Sequence, residues 1–184
     1  NLAIAPLKTR LHVLILQHPQ EPDKELGTAR LAHNALENST LRVGLSWPNL
    51  SKALGRPAIH GNWGVLYLGG KAESAKVKQA DFSKLPLEGI VVLDGTWAQA
   101  KTMWWRNPWL LKLKRIALSP ARRSLYGSLR REPRRECLST IESIAEALDA
   151  LGEDPKVGEA LREDFKELLQ NFRRPEPVAL DTTK

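Results

Sequence analysis

Short apolar runs alternate along this chain with segments of helical periodicity, and each apolar run ends abruptly at a polar residue or a glycine. The apolar runs occupy residues 11–16, 41–45, 63–68, 90–93 and 115–118, and the helical patterns occupy 26–36, 97–106, 139–151 and 157–172. A further helical turn fits 50–54. Strands that alternate with helices favour a mostly parallel sheet with helices on both faces. We therefore predict an α/β fold.

Length and composition are those of one domain of ordinary size. Of the 184 residues, 42% are hydrophobic, which is enough to build a core, and 27% are charged. We expect a single domain over residues 1–184, with a loose tail from about residue 174, where Pro175 and Pro177 follow the last helical pattern. No run is long enough to span a membrane, and the start lacks a signal-peptide pattern. The expected location is the cytoplasm.

Cysteine is almost absent. Cys137 is the single cysteine, so the chain offers neither a disulfide within itself nor a cysteine-based zinc site. The four histidines are scattered and have no cysteine partners, and we expect no metal in these residues.

The fourth apolar run ends at Asp94, Gly95 and Thr96, directly before the helical pattern that begins at Trp97. Open α/β sheets bind their ligands where a strand ends and a helix begins. Glycine at this point lets the backbone come close to a ligand. Asp94 and Thr96 are equally suited to cap the following helix, because both residue types are preferred at the N-cap. From these residues alone, both interpretations stay open.

Three spaced motifs resemble one known family. Asp94, Thr96 and Trp97 form an Asp-x-Thr-Trp pattern, Leu16-Gln17-His18-Pro19-Gln20-Glu21 precedes it, and Arg131-Glu132-Pro133 with Leu138-Ser139-Thr140-Ile141-Glu142 follows it. In this order, over residues 16–142, they are similar to the DTW-domain family of tRNA-uridine aminocarboxypropyltransferases. The resemblance implies a SPOUT-like, knotted α/β fold. The chain departs from many members of the family, which carry a cysteine cluster before the His-Pro motif.

The resemblance also implies a reaction. The 3-amino-3-carboxypropyl group of S-adenosylmethionine would move to N3 of a uridine in tRNA, leaving methylthioadenosine. Alignment for displacement at carbon and removal of an imide proton are then the main tasks of the protein. Asp94 is the candidate catalytic residue, either as the base or as a group that binds the amino group of the substrate.

A larger set of residues is expected to bind S-adenosylmethionine. It contains the ends of the third, fourth and fifth strands and the start of the helix after residue 138, which should converge on one ligand. Trp97 is a candidate to stack on adenine or on a flipped uridine, with core packing as the alternative. The Ser139 segment is a candidate for the amino-acid part of the cofactor, with helix capping as a compatible role. The expected cofactor-binding residues are Leu68, Gly69, Gly70, Asp94, Gly95, Thr96, Trp97, Leu118, Leu138, Ser139, Thr140 and Glu142.

Positive charge points to RNA. The 28 Lys and Arg exceed the 21 Asp and Glu, for a net charge of +7, and seven arginines but one acid, Glu132, lie between Arg115 and Arg135. Arginine's planar fork suits phosphate, although a solvated face is the alternative explanation for such a run. The expected RNA-binding residues are Arg122, Arg123, Arg130, Arg131, Arg134 and Arg135, with Lys101 and Arg106 as candidates to extend the surface.

Two other functions fit the same sequence. An RNA methyltransferase on the same kind of fold would keep the cofactor and transfer a different group. A non-catalytic RNA- or ribosome-binding protein would use Asp94 and Thr96 only as caps. Within the favoured reading, the variable loop of tRNA is the expected target ahead of the D loop.

Overall fold

The computed structural model describes residues 6–19, 27–67, 87–117 and 139–173. Within these ranges, strands and helices alternate for most of the chain. The strands are β1 (His12–Gln17), β2 (Ser39–Val43), β3 (Trp63–Tyr67), β4 (Gly89–Asp94) and β5 (Lys114–Ala117). The helices are α1 (Thr28–Ala35), α2 (Leu50–Leu54), α3 (Trp97–Arg106), α4 (Thr140–Ala150) and α5 (Pro155–Arg173), with short 3₁₀ helices at His60–Asn62 and Pro108–Lys112.

The five strands form one parallel sheet in the order β2-β1-β4-β3-β5. The longest pairing joins β1 to β4, with His12 opposite Gly89 and Gln17 opposite Asp94. All carboxyl ends therefore meet at one edge of the sheet. The α/β class and the parallel sheet predicted from the sequence are confirmed, whereas the SPOUT-like relationship and the knot stay predictions.

Alternate residues of the central strands face two separate cores. Val13 and Ile15 of β1 pack into a core with α1, α4 and α5, whereas Leu14 and Leu16 pack into a second core with α2, α3 and the 3₁₀ helix Pro108–Lys112. Successive side chains of a strand point to opposite faces, so a strand covered on both sides must be apolar throughout. This is why β1 and β4 appear as continuous apolar runs in the sequence.

Most element boundaries lie within two residues of the sequence-based ones. Helix α3 has the predicted bounds, and the helical turn at 50–54 is present as α2. The prediction for the second strand, 41–45, was wrong at both ends, because β2 covers Ser39–Val43. It lies at the edge of the sheet, so it needs no fully apolar start, and Ser39 and Thr40 pair with β1. No helix in the described ranges is long and apolar enough to cross a membrane.

Candidate functional site

The carboxyl ends of β1 and β4 meet at the point where the chain changes direction. After β1 the chain continues to β2 on one side, and after β4 it continues to β5 on the other. The helices that follow, α1 and α3, also lie on opposite faces of the sheet. Such a topological switch point opens a crevice, which is where open α/β sheets bind ligands. Asp94 and Gln17 lie at this position, opposite each other.

Asp94 is held by two segments that are distant from it in the sequence, residues 17–18 and the start of α4. Gln17 Nε2 donates a hydrogen bond to Asp94 Oδ2 at 2.9 Å, and Thr140 Oγ1 donates one to Oδ1 at 2.5 Å. The backbone N–H of His18 donates to the backbone carbonyl of Asp94 at 2.9 Å. The Asp94 side chain is only partly buried. Its carboxylate is therefore oriented through both oxygens, and the residue keeps part of its surface exposed.

Gln17 is a candidate site residue that the sequence-based list of site residues left out. Its side chain is 3% exposed, and within the described ranges its Oε1 has no hydrogen-bond partner. A buried polar atom without a partner is uncommon and costly, and such atoms mark places where a ligand can complete the bonding. Oε1 is an acceptor, so it suits an N–H or ammonium group. The available signal was a polar side chain at the end of an apolar strand, within the motif 16–21.

Thr96 caps helix α3, so the capping interpretation of this segment is correct for Thr96. The Thr96 hydroxyl accepts a hydrogen bond from the Gln99 backbone N–H at 3.2 Å, and Gln99 Oε1 accepts one from the Thr96 N–H at 2.8 Å. This reciprocal capping box leaves Asp94 free of a capping role. A Cβ on Gly95 would lie 3.0 Å from Gln99 and 3.4 Å from His18. Gly95 therefore forms a tight turn between the acid, Asp94, and the capping residue, Thr96.

The start of α4 divides its roles in the same way. Ser139 is the N-cap, its hydroxyl accepts from the Glu142 backbone N–H at 3.2 Å, and Glu142 Oε1 accepts from the Ser139 N–H at 3.1 Å. Ser139 and Glu142 are both buried. Thr140, the first residue of the helix, instead directs its hydroxyl to Asp94. The structure therefore brings the Asp94 segment and the start of α4 together, whereas convergence of these segments with the ends of β3 and β5 on one ligand stays a prediction.

Several predicted site residues lie outside the described part of the chain. The Trp97 backbone begins α3, but its side chain is not among those described. The roles of Trp97 and of the residues outside the described ranges stay predictions. The residues concerned are Leu68, Gly69, Gly70, Leu118 and Leu138 of the cofactor set, and Arg122, Arg123, Arg130, Arg131, Arg134 and Arg135 of the RNA set.

Two histidines lie away from the candidate site, one at the amino end of β1 and one beside the edge strand β2. His12, at the amino end of β1, contacts Asn38 Oδ1 at 2.5 Å and Thr40 Oγ1 at 2.8 Å, and His33 contacts Ser39 Oγ at 2.7 Å. Burial lowers the pKa of both histidines below the ordinary value. These contacts connect α1 and β1 to β2, so both residues have structural partners. The described residues include no cluster of His, Cys, Asp and Glu that could hold a metal ion.

Comparison with known proteins places this arrangement in a family. A family model described as DTW domain matches residues 2–173. The tRNA-uridine aminocarboxypropyltransferase 2 of Drosophila melanogaster is 32% identical over 151 residues, which is 81% of this chain and 59% of that protein. Proteins of the same name from Macaca fascicularis and Mus musculus are 30% and 29% identical over 163 residues, which is 85% and 87% of this chain.

The chain spans somewhat more than half the length of these curated relatives, 53–59%. No solved structure matches it. The family match nevertheless covers nearly the whole chain and includes the Asp94, Gln17 and Thr140 segments. The chain belongs to the DTW domain family.

Proposed function

We propose that this domain transfers the 3-amino-3-carboxypropyl group of S-adenosylmethionine to N3 of a uridine in tRNA. The observation that carries the proposal is the Asp94 carboxylate, oriented by Gln17 and Thr140 at the switch point of the sheet. The name of the curated relatives, tRNA-uridine aminocarboxypropyltransferase, supports the substrate and the group transferred. The proposal therefore joins a site geometry to a family.

Asp94 has the geometry of a base for the imide proton of uridine. An ionised carboxylate has about four lone-pair positions, and the donors Gln17 and Thr140 occupy one on each oxygen. A position that faces the crevice can then accept a proton from N3. The two donors fix the orientation of the carboxylate, which general-base catalysis requires.

The residues around Asp94 also suit the donor molecule. When bound, S-adenosylmethionine supplies a carbon on a sulfonium, so the N3–C bond forms as the C–S bond breaks and its electron pair goes to sulfur. The unpartnered Gln17 Oε1 and the Asp94 carboxylate are acceptors that fit a cationic amino group. The Thr140 and Ile141 N–H groups come before the first intrahelical bond of α4, from Ser143 to Ser139, and suit a carboxylate.

The acceptor base must reach this crevice unpaired. N3 lies on the Watson–Crick edge of uridine, so the base has to come from a loop or be flipped out of a helix. The arginines between 122 and 135 remain the predicted phosphate contacts for the tRNA, because such contacts give register without reading sequence.

Mass spectrometry of nucleosides tests the proposal. Unmodified tRNA is incubated with S-adenosylmethionine and the wild-type chain, Asp94→Asn or Glu163→Gln. Asp94→Asn preserves side-chain shape but removes the charge, and Glu163→Gln removes an exposed carboxylate on α5 as a matched control. We expect an aminocarboxypropyl-modified uridine with the wild type and the control, and a loss of at least 100-fold with Asp94→Asn, the range of general acid–base catalysis.

Other outcomes would contradict the proposal in different ways. A methyl gain instead of the larger group would identify an RNA methyltransferase. Tight tRNA binding without any modified nucleoside would favour a non-catalytic RNA-binding protein. Equal product with Asp94→Asn and with the wild type would remove Asp94 from the reaction.

A further inference from the structure

Within the described ranges, the segments that cover the two faces of the sheet differ in charge. On the side of α2 and α3, the segments 44–62 and 95–117 contain two and five basic residues respectively and no acid. On the other side, residues 139–173, which form α4 and α5, contain nine acids and four basic residues. A polyanion is attracted to the first face and repelled by the second. The sheet therefore has one side suited to nucleic acid.

Helix α3 presents a continuous exposed strip on the basic face. Met103 is fully buried in the core beneath it, whereas Lys101, Thr102, Trp105 and Arg106 are exposed. Lys101 and Trp105 are four residues apart, as are Thr102 and Arg106, so each pair lies on the same side of the helix. The strip thus combines two cations with one large aromatic ring.

Trp105 is unusual among the large side chains because it is 72% exposed. The neighbouring Trp104 already has a cation above its ring, with Arg115 Cζ 5.2 Å from the ring centroid. Leu111, in the 3₁₀ helix that follows, is 59% exposed. An exposed aromatic ring among cations is the arrangement that binds unpaired nucleotides, because bases stack on the ring while phosphates meet the charges.

Helix α3, which carries the strip, begins close to the candidate active site. Helix α3 starts three residues after Asp94, and Trp105 lies eight residues after Trp97, a distance of about 12 Å along the helix axis. RNA that presents a base to Asp94 can therefore continue along α3.

We propose that the exposed strip of α3, formed by Lys101, Thr102, Trp105 and Arg106, is an RNA-docking surface. Trp105 stacks on an unpaired base next to the modified uridine, and Lys101 and Arg106 contact phosphates. The proposal rests on the proposed function only for the choice of tRNA as the partner. It adds a second RNA contact, on described residues, to the arginines predicted between 122 and 135.

Binding of a fluorescently labelled, unmodified tRNA transcript tests this surface without turnover. Anisotropy titrations at several salt concentrations compare the wild type with Trp105→Ala, Trp105→Phe and the double variant Lys101→Gln/Arg106→Gln. The matched control is Lys156→Gln/Lys166→Gln, which removes two exposed cations from α5 on the acidic face. Circular dichroism of each variant verifies folding, which we expect to be retained because all the changed side chains are exposed.

The two kinds of contact give different expected results. Trp105→Ala weakens binding about 5- to 100-fold, the range for loss of one stacked base. Trp105→Phe keeps an aromatic ring and therefore retains most of the wild-type affinity. The Lys101→Gln/Arg106→Gln variant lowers the slope of log K against log salt by about 1.4 to 1.8, since two phosphate contacts are lost. The α5 control keeps a larger share of both the affinity and the slope.

Three results would overturn the docking surface. Wild-type affinity and salt slope in all α3 variants would exclude it, and so would equal losses in the α3 variants and the α5 control. Binding to phosphatidylglycerol vesicles that depends on α3, with tRNA binding that does not, would assign the strip to a membrane surface. A chain that binds tRNA through α3 but forms no modified uridine would refute the proposed function and leave this inference standing.

Discussion

Gln17 and Asp94 lie opposite each other at the carboxyl ends of two adjacent parallel strands, and Gln17 Nε2 donates a 2.9 Å hydrogen bond to Asp94 Oδ2. The register of β1 and β4 thus places the donor and the acceptor side by side. Thr140 donates to the other carboxylate oxygen from the first turn of α4. Asp94 is therefore oriented by tertiary contacts and not by its own helix cap.

Replacement of Gln17 tests its role as a positioning residue. Gln17→Leu introduces an apolar side chain of similar size and removes the donor to Asp94. We expect kcat for aminocarboxypropyl transfer to fall about 10- to 100-fold, the range for loss of a hydrogen bond to a charged group. The KM for tRNA should stay close to the wild-type value, because Gln17 is not proposed to contact RNA.

The exposed-acid variant Glu163→Gln is the control for both readouts. A purely structural role for Gln17 would lower the amount of folded protein and leave kcat per folded molecule unchanged. That result would contradict the prediction.

The Thr140 hydroxyl can be separated from the Thr140 side-chain volume. Thr140→Val is close to isosteric and removes the hydrogen bond to Asp94 Oδ1, whereas Thr140→Ser keeps the hydroxyl. We expect initial rates at saturating substrate to fall about tenfold or more with valine and to stay within about threefold of wild type with serine. Equal rates for the two variants would show that the hydroxyl has no part in orienting Asp94.

The two capping residues should affect stability. Thr96→Ala and Ser139→Ala each remove a side-chain acceptor for a helix N3 amide. We expect each to lower the free energy of unfolding by about 0.5 to 2 kcal/mol, with the larger effect at Ser139, which is fully buried. Urea denaturation measures both values. Thr96→Ser, which keeps the capping hydroxyl, is the comparison, and an equal loss of stability with Thr96→Ser and Thr96→Ala would argue against this role of the hydroxyl.

His12, at the amino end of β1, should make the free energy of unfolding depend on pH. Burial lowers the pKa of His12 from 6.5, against a hydrogen bond that His12 donates to Asn38 Oδ1 and that raises it. As pH falls through 6.5, the unfolded chain therefore binds a proton before the folded protein does, and the free energy of unfolding falls. The decline ends below the folded-state pKa.

Urea denaturation of wild type and His12→Gln from pH 7.5 to pH 5 measures this effect. Glutamine does not titrate and keeps polar atoms near Asn38 and Thr40. We expect the variant to lose less stability over this range than the wild type. A residual dependence remains, because burial also lowers the pKa of His33. The same pH dependence in both proteins would contradict the prediction.

Local patterns in the sequence were sufficient for the elements of secondary structure. Helix α3 could be bounded because Thr96 caps it and Pro108 follows its end. The apolar runs of β1 and β4 indicated buried strands because both faces of the sheet are covered. The predicted position of the edge strand β2 was displaced by two residues, because the polar start of this strand resembles a loop when only apolar runs are considered.

The candidate site was predictable in part. Asp94, Thr96, Ser139, Thr140 and Glu142 were recognised through motifs, although a motif could not say which residues cap and which contact the acid. The structure assigns capping to Thr96 and Ser139 and gives Thr140 to Asp94. Gln17 was missing from the predicted site because its importance depends on a partner 77 residues away.

Residue type and spacing determined the strand and helix positions, the α/β class and the acid at the end of the fourth strand, because these depend on interactions between near neighbours in the chain. Strand order, register and the packing of helix starts depend on contacts between distant segments. Only the tertiary structure therefore decided that Gln17, Asp94 and Thr140 meet at a switch point. It also decided that the segments without acids lie on one face of the sheet, opposite the acidic pair of helices, since no linear pattern shows which segments the fold brings together.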